Sequence, residues 1–327
     1  MILKTALAAG AAALALLAMP AAAQSTASTP EGAVMDLDHG LAYPVGALSE
    51  AQLHGTTHHL FRQTSANVFR RFPREMTEQM VSFYVNALAL RSLNPIQLTS
   101  TQQMILTGVG SGQIKLSAGQ QGDRHYNLTG GVTGGTGIRY LRLTYPDAAA
   151  VSGRFTAAGF AAPQFRDTPH GPEALVTDPA GLSVLIVIDA AAQDHSDDGV
   201  GVGIGVADLA RSQEFYREFV GLTELAPMQD DVLGVMVHPF RHEQTTVYLH
   251  QVAPGVPADT GSSGLQYVVS DAPFVAAMAA HRSVAVETPL NRLRGFDLTT
   301  IWLNDPDGVT NYFAQVGPGS RTARGQN

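Results

Sequence analysis

The side chains able to do chemistry in this chain are histidines, tyrosines and a few cations; there is no cysteine. Tyr248 and His250 stand two positions apart in the run TVYLHQ. Successive side chains of a strand alternate between faces, so this spacing presents a phenol and an imidazole together. An imidazole titrates near neutrality and a phenol donates a hydrogen bond, which is the equipment of general acid–base catalysis. Other histidines raise the question of a metal. His238, His242 and Glu243 lie in VMVHPFRHEQ, and His54, His58 and His59 cluster in LHGTTHH. Residues four apart face together on a helix, but Pro239 and the strand-like context remove that geometry from His238 and His242. The His54 cluster reads as a polar loop packed on the first domain. Arg292 and Arg294 in NRLRGF offer an anion contact. Gly108-Val109-Gly110-Ser111-Gly112 lacks the Lys-Ser/Thr pair and helix start of a phosphate loop. Ser262-Ser263-Gly264 lacks a nucleophile elbow, and Trp302, the only tryptophan, reads as core.

These residues need a scaffold, and its pattern is regular from residue 65 onward. Residues 200–206 alternate apolar side chains with glycine and read as a strand. Asp208 then caps a helix whose Leu209, Phe215, Tyr216 and Phe219 share one face, and Gly221 ends it. Phe83-Tyr84 recurs as Phe215-Tyr216 after 132 positions, Asp147 as Asp271 after 124, and Asp178-Pro179-Ala180-Gly181 as Asp305-Pro306-Asp307-Gly308 after 127. Three landmarks returning at nearly one offset imply a duplication. The expected domains are 65–189 and 199–317, joined by a polar, acidic linker at 190–198. Inside each half the order is strand, helix, strands, twice over. Residues 24–64 are an N-terminal leader and 318–327 a flexible tail.

A chain of 327 residues is long enough for two domains. With 45% hydrophobic and 15% charged residues it can bury an ordinary core. A net charge of −8 without any Lys/Arg run argues against nucleic acid as a partner. Lys4, the apolar stretch 6–19, Pro20 and the small residues Ala21-Ala22-Ala23 make residues 1–23 a secretory signal peptide. The mature protein is therefore expected in the periplasm or secreted, with no membrane contact after cleavage. Without cysteine, disulfides and thiolate metal sites are excluded.

The strand, the capped helix with Phe-Tyr in its third turn, the Gly-Leu exit and the closing turn Asn304-Asp305-Pro306-Asp307-Gly308 with its following strand together resemble a module of the vicinal oxygen chelate superfamily. Glyoxalases, extradiol dioxygenases and bleomycin-resistance proteins belong to it. The resemblance is close over about the last 120 residues and weaker over the preceding 130 or so. It implies an α+β fold of two tandem domains, each built from paired βαβββ modules with curved sheets around a cleft. The family's chemistry uses a divalent ion held by His, Glu or Gln side chains of matching strands. On this chain those places fall at Gly201, Tyr248, Leu265 and Tyr312 in the second half, and at about Phe69, Lys115, Ile138 and Leu185 in the first. None is an ordinary ligand, so no metal and no other cofactor is expected. Strand parity then places Tyr248, His250, Tyr267 and Tyr312 in one cleft. It places Lys115, Tyr140 and Arg142 in the other, two cations and a phenol suited to an anion.

Two functions follow as expectations. One is a metal-independent lyase or isomerase acting on a small aromatic or anionic molecule, with His250 as base and the Tyr248 or Tyr312 hydroxyl steadying an enolate. The other is a non-catalytic binder of the bleomycin-resistance type that sequesters such a molecule. A metal-dependent glyoxalase or dioxygenase with displaced ligands (His238, His242, His250) and a duplicated domain kept for association with another protein are the remaining alternatives. A monomer or a homodimer is expected.

Overall fold

The computed structural model describes residues 26–28, 34–37, 41–98, 103–120, 122–193, 196 and 198–317. The predicted signal peptide and tail lie outside these residues. The leader contributes β1 (Thr26–Ser28), β2 (Val34–Asp36) and the one-turn helix α1 (Glu50–Leu53). Four modules follow. The first holds β3 (Asn67–Phe72), α2 (Thr77–Val81), β4 (Arg91–Gln97), β5 (Gln103–Val109) and β6 (Gly112–Ala118). The second holds β7 (Gly137–Tyr145), α3 (Ala148–Ala157), β8 (Arg166–Thr168), β9 (Gly171–Thr177) and β10 (Ser183–Ile188). The third holds β11 (Gly201–Val206), α4 (Leu209–Glu214), β12 (Thr223–Glu224), β13 (Met228–Asp230), β14 (Val235–His242) and β15 (Thr245–Gln251). The fourth holds β16 (Ser263–Val268), α5 (Ala272–His281), β17 (Val286–Leu293), β18 (Leu298–Asn304) and β19 (Thr310–Val316).

The predicted cap at Asp208 is present, and the recurring Asp147 and Asp271 cap their helices in the same way. The Asp147, Asp208 and Asp271 carboxylates each accept a backbone N–H of the first helical turn, and Gly221 ends its helix in the left-handed region at φ 87°. The two Phe-Tyr pairs share a further feature. In each, the α-helix widens into a π-helical turn, at Ser82–Ala87 and at Phe215–Val220.

The α+β class and the four curved modules are as expected, but the partners within each sheet are not. One ten-stranded sheet runs β1-β2-β17-β18-β19-β16-β3-β6-β5-β4 and joins the first module to the fourth. A nine-stranded sheet runs β12-β14-β15-β11-β7-β10-β9-β8, with β13 on β14, and joins the second module to the third. The seams are antiparallel, β16 on β3 and β11 on β7. Each paired-module unit therefore draws on both halves of the chain, and the contiguous division at 65–189 and 199–317 does not follow the sheets. The connections explain this. The chain leaves the first sheet after β6 and returns to it before β16, and the two crossings bind each other. The Asp259 carboxylate accepts the Asn127 N–H at 2.7 Å and the Ser262 N–H at 2.8 Å. Backbone bonds run from Thr136 to Pro257 and from Asp259 back to Thr136, each 3.0 Å. The buried Arg139 guanidinium donates to the carbonyls of Asn127, Thr129 and Gly131.

The histidine-bearing stretch of the leader does not pack on the first domain, as expected, but on the third and fourth modules. Thr57 N–H donates to the Phe219 carbonyl at 2.9 Å, Phe61 stacks on Tyr267 at 4.9 Å, and the Tyr43 hydroxyl donates to Asp271. Among the described residues no helix is long and apolar enough to cross a membrane.

The repeated landmarks of the sequence meet in space. The buried Asp178 carboxylate accepts the amides of Ala180 and Leu182, both at 2.9 Å. It also accepts the Tyr84 hydroxyl at 3.0 Å and the Arg70 guanidinium at 2.7 and 2.9 Å. In the same way Asp305 accepts the amides of Asp307 and Val309 and the Tyr216 hydroxyl. Each tyrosine belongs to one sheet and its aspartate to the other, so both pairs bolt the sheets together. No ion pair reaches Asp305 among the described residues, and burial pushes its carboxyl up from 3.8 to about 7.

Two outcomes follow for stability. Arg70→Met leaves the Asp178 charge buried without its cation and should cost about 3–5 kcal/mol in urea unfolding; Arg70→Met combined with Asp178→Asn should cost clearly less than the single change. For Asp305, the unfolded chain loses its proton near 3.8 and the folded chain near 7. The folded state is the greater proton binder between those values, so this group's contribution is present at acid pH and lost as pH rises towards 7. The unfolding midpoint of Asp305→Asn should accordingly gain on the wild type as pH rises from about 5 to about 7, roughly the upper part of that window; midpoints that run parallel across it would refute this.

Candidate functional site

The concave face of the first sheet forms a cleft of about 870 Å³, its open mouth included. Its floor is polar. Lys115 on β6 donates from Nζ to Gln266 Oε1 on β16 at 2.6 Å, and Asn67 Nδ2 on β3 donates to the same oxygen at 3.0 Å. Asn67 is itself oriented by the Gln113 N–H, 2.9 Å from Oδ1. Its walls are apolar and aromatic. Phe69 lies 5.5 Å below the Lys115 ammonium, Tyr312 stands 5.5 Å from Phe69 and 5.0 Å from Trp302, and Ile96 and Met104 close the other side. Arg71 adds a second cation, 5.6 Å over Phe69 and 6.0 Å over Trp302. No carboxylate lines the cleft among the described residues. Lys115 is only 7% exposed, and burial lowers its ammonium to about 8. The buried Trp302 indole N–H has no hydrogen-bond partner among the described residues, a donor left over in the wall of a cleft.

The concave face of the second sheet is filled by the protein itself. Tyr140 on β7 lies across β11, where a Cβ on Gly203 would stand 1.8 Å from its ring. Tyr140, Leu185 and Val187 pack with Val132 and Leu233, which the loops before β7 and after β13 fold inward. Arg142 pairs with Glu173 at 3.3 Å and reaches Asp230 at 3.7 Å, and its guanidinium lies 5.8 Å over the half-buried Tyr248. His250 is fully buried. Its Nε2 bonds the Val132 carbonyl at 3.0 Å, its Nδ1 has no partner among the described residues, and burial lowers its pKa. Burial likewise raises Tyr140 and, despite Arg142, Glu173.

The sets expected from parity are thus redistributed. Tyr248 and His250 do share a face, as their spacing requires, but with Tyr140 and Arg142 and under a plug of side chains. Tyr312 and Lys115 share the open cleft instead. The difference arises because the sheets join modules across the halves. Tyr267 is corrected to the opposite face: it stacks between Phe61 at 4.9 Å and Phe313 at 5.2 Å among the helices. Its neighbour Gln266 is the residue that faces the cleft. Leu265, Tyr267 and Val269 form the apolar row of that strand, so the polar residue between them was the available signal. Arg292 and Arg294 are exposed, while Leu293 between them lines the cleft. Trp302, expected in the core, is a cleft wall.

A chelated divalent ion requires lone pairs of His, Glu or Asp converging on one point. On the first face the floor offers an ammonium, two amides and a phenol, and Gln266 Oε1 is already shared by Lys115 and Asn67. On the second, the carboxylates turn to Arg142 and His250 Nε2 to a carbonyl. Neither donor set fits the ion. Nor can the histidines of β14 join His250: His238 pairs with Leu249 and His242 with Thr245 across β15, which puts both on the face opposite His250. His242 Nε2 bonds the Gln63 carbonyl at 2.6 Å.

No protein-family model matches the sequence, and no curated protein matches it. Solved structures do match in fold. Glyoxalase I from Zea mays is 17% identical with a TM-score of 0.58, covering 78% of this chain and 92% of its own. A single-substitution variant of that enzyme is 16% identical with a TM-score of 0.61, covering 79% and 94%. A candidate dioxygenase from Bacillus subtilis is 15% identical with a TM-score of 0.58, covering 79% and 87%.

The plugged face makes a steric prediction. Gly203→Ala drives a methyl group into the Tyr140 ring and should destabilise by about 1–3 kcal/mol or more in urea unfolding. The same change made on Tyr140→Leu should cost markedly less, and equal costs in the two backgrounds would show that the ring does not set the constraint.

Proposed function

We propose that this chain, which has the fold of the vicinal oxygen chelate superfamily, binds a small, largely apolar or aromatic molecule with an anionic head group in the cleft of its first sheet. The observation that carries this reading is the setting of Lys115: a buried ammonium against aromatic and aliphatic walls, with no carboxylate among the described lining residues. A lone ammonium in such surroundings is poorly solvated, and an anionic ligand supplies the counter-charge. Gln266, itself held by Asn67, fixes the ammonium, Trp302 offers a donor, and Tyr312 and Phe69 offer ring faces for stacking. The apolar segment of residues 6–19 with its Ala21-Ala22-Ala23 border supports a site of action outside the cytoplasm.

A second reading makes the same cleft catalytic. Its support is the lowering of Lys115 to about 8, which brings a neutral amine within reach of physiological pH. Such an amine can take a proton next to a carbonyl whose oxygen accepts from Trp302 or Tyr312, giving lyase or isomerase chemistry. Lys115 then has the role that His250, shut off beneath Val132, is not placed to fill. No step in this reading passes through a metal.

Trp302 is the sole tryptophan, so its fluorescence reports the cleft. The anionic probe 8-anilinonaphthalene-1-sulfonate should quench it and bind more tightly than the neutral N-phenyl-1-naphthylamine. Lys115→Met should weaken the anion roughly 10–100-fold and leave the neutral probe nearly unchanged. Because the ammonium is lost above about 8, wild-type affinity for the anion should fall as pH rises through that value while the variant stays flat. Equal anion affinity in wild type and variant would overturn the reading.

A further inference from the structure

We infer that Glu50, His54 and His281 form a surface site for a borderline divalent cation of the zinc type, one that clamps the leader to the fourth module. It stands outside both concave faces and does not depend on the cleft. Among the described residues it is the group of three ligating side chains whose donor atoms converge. His54 Nε2 and His281 Nε2 are 3.1 Å apart. The same Glu50 oxygen, Oε2, lies 3.6 Å from His54 Nε2 and 3.5 Å from His281 Nε2.

These three separations can be set against the metal's own geometry. Zinc–nitrogen and zinc–oxygen bonds of about 2.0–2.2 Å in a tetrahedron put neighbouring donor atoms roughly 3.3–3.5 Å apart. The observed triangle has the dimensions of one tetrahedral face, so an ion seated on it needs only shifts of a few tenths of an ångström. The two imidazoles meet at 84° with centroids 4.7 Å apart, which lets both Nε2 lone pairs point at a common centre without the rings colliding. Two imidazoles and a carboxylate are the ligand types zinc takes, with a fourth position left to water. One N–H···N bond explains the approach of the two histidines, but not why one carboxylate oxygen is equidistant from both.

The site is also preorganised. Ser49 and Gln52 close a capping box that fixes α1, which places Glu50 and His54 one turn apart on the same side. His281 is the last residue of α5. The neighbouring Arg282 guanidinium donates to the carbonyls of Gly55 and Glu218 at 3.1 and 2.8 Å, which draws the leader against the body. The cation would add a second tie at the point where α1 meets α5.

The test is zinc titration of the purified chain by calorimetry, followed by Co²⁺ absorption. Wild type should take up one Zn²⁺ per chain, gain thermal stability as zinc rises, and give the intense visible band of tetrahedral Co²⁺. All three residues are at the surface, so His54→Ala and His281→Ala should fold normally by circular dichroism and lose that binding. His59→Ala, whose ring lies outside the triangle, should keep it. Hydrogen exchange across residues 49–55 should slow on adding zinc in the wild type alone. Binding that survives in both histidine variants overturns the site, as does no uptake at millimolar Zn²⁺; binding without slowed exchange overturns the clamp.

Discussion

Two buried carboxylates, Asp178 and Asp305, hold the two sheets of this molecule to each other. Burying a carboxylate is unfavourable unless donors surround it. In both cases two of those donors are backbone amides of the turn that the aspartate itself opens. A third donor is a tyrosine hydroxyl from a helix on the other sheet, brought inward by a π-helical turn. Neither sheet can slide or part without stranding a buried charge or phenol. The hydrophobic core between the sheets sets the approximate distance, and these bonds select one register from the many that apolar packing alone would permit. The two clamps differ in one respect: Arg70 completes the first, whereas Asp305 depends on turn amides and a phenol alone.

That constraint has a consequence on the far side of each sheet. With the helices and the clamps between the sheets, the concave faces turn outward and are free to differ, although they come from the same duplicated module. On one, the glycines of β11 let Tyr140 lie across the strand, and two inward-folded loops add Val132 and Leu233. The result is a solid layer in which Arg142, Glu173 and Asp230 neutralise one another. On the other, β3 carries Asn67, Phe69 and Arg71 where β11 carries small residues, and the space above them stays open. A lysine stands at its floor, held by an amide oxygen. A positive charge is thereby built into that floor as part of the chain.

Much of the scaffold was legible in the residue order because it is set by local chemistry. The helix caps Asp147, Asp208 and Asp271, the stop at Gly221 and the Asp-Pro turns each act within a few positions of the chain, and each formed as its residue type dictates. The recurrence of Phe-Tyr and Asp-Pro-x-Gly marked the duplication. That these landmarks bond to one another, tyrosine to aspartate, was not visible, since a hydrogen bond spanning about 90 residues leaves no local pattern.

The candidate site shows the limit more sharply. Alternation along β15 put Tyr248 and His250 on one face correctly, because pleating is a property of the single strand. It could not say whether that face was open or plugged. On β16 the choice of face went to Tyr267 rather than Gln266, because an aromatic residue is equally at home in a cleft or under a helix. The sequence by itself determined the modules, their caps and turns, and which side chains alternate together. Only the tertiary structure decided which modules share a sheet, and therefore that Lys115 meets Gln266 and Tyr312 instead of Tyr140 and Arg142. Strand pairing is a long-range choice settled by the interlocked crossings at Thr136 and Asp259 and by buried partners from distant segments, and no short window of residues encodes it.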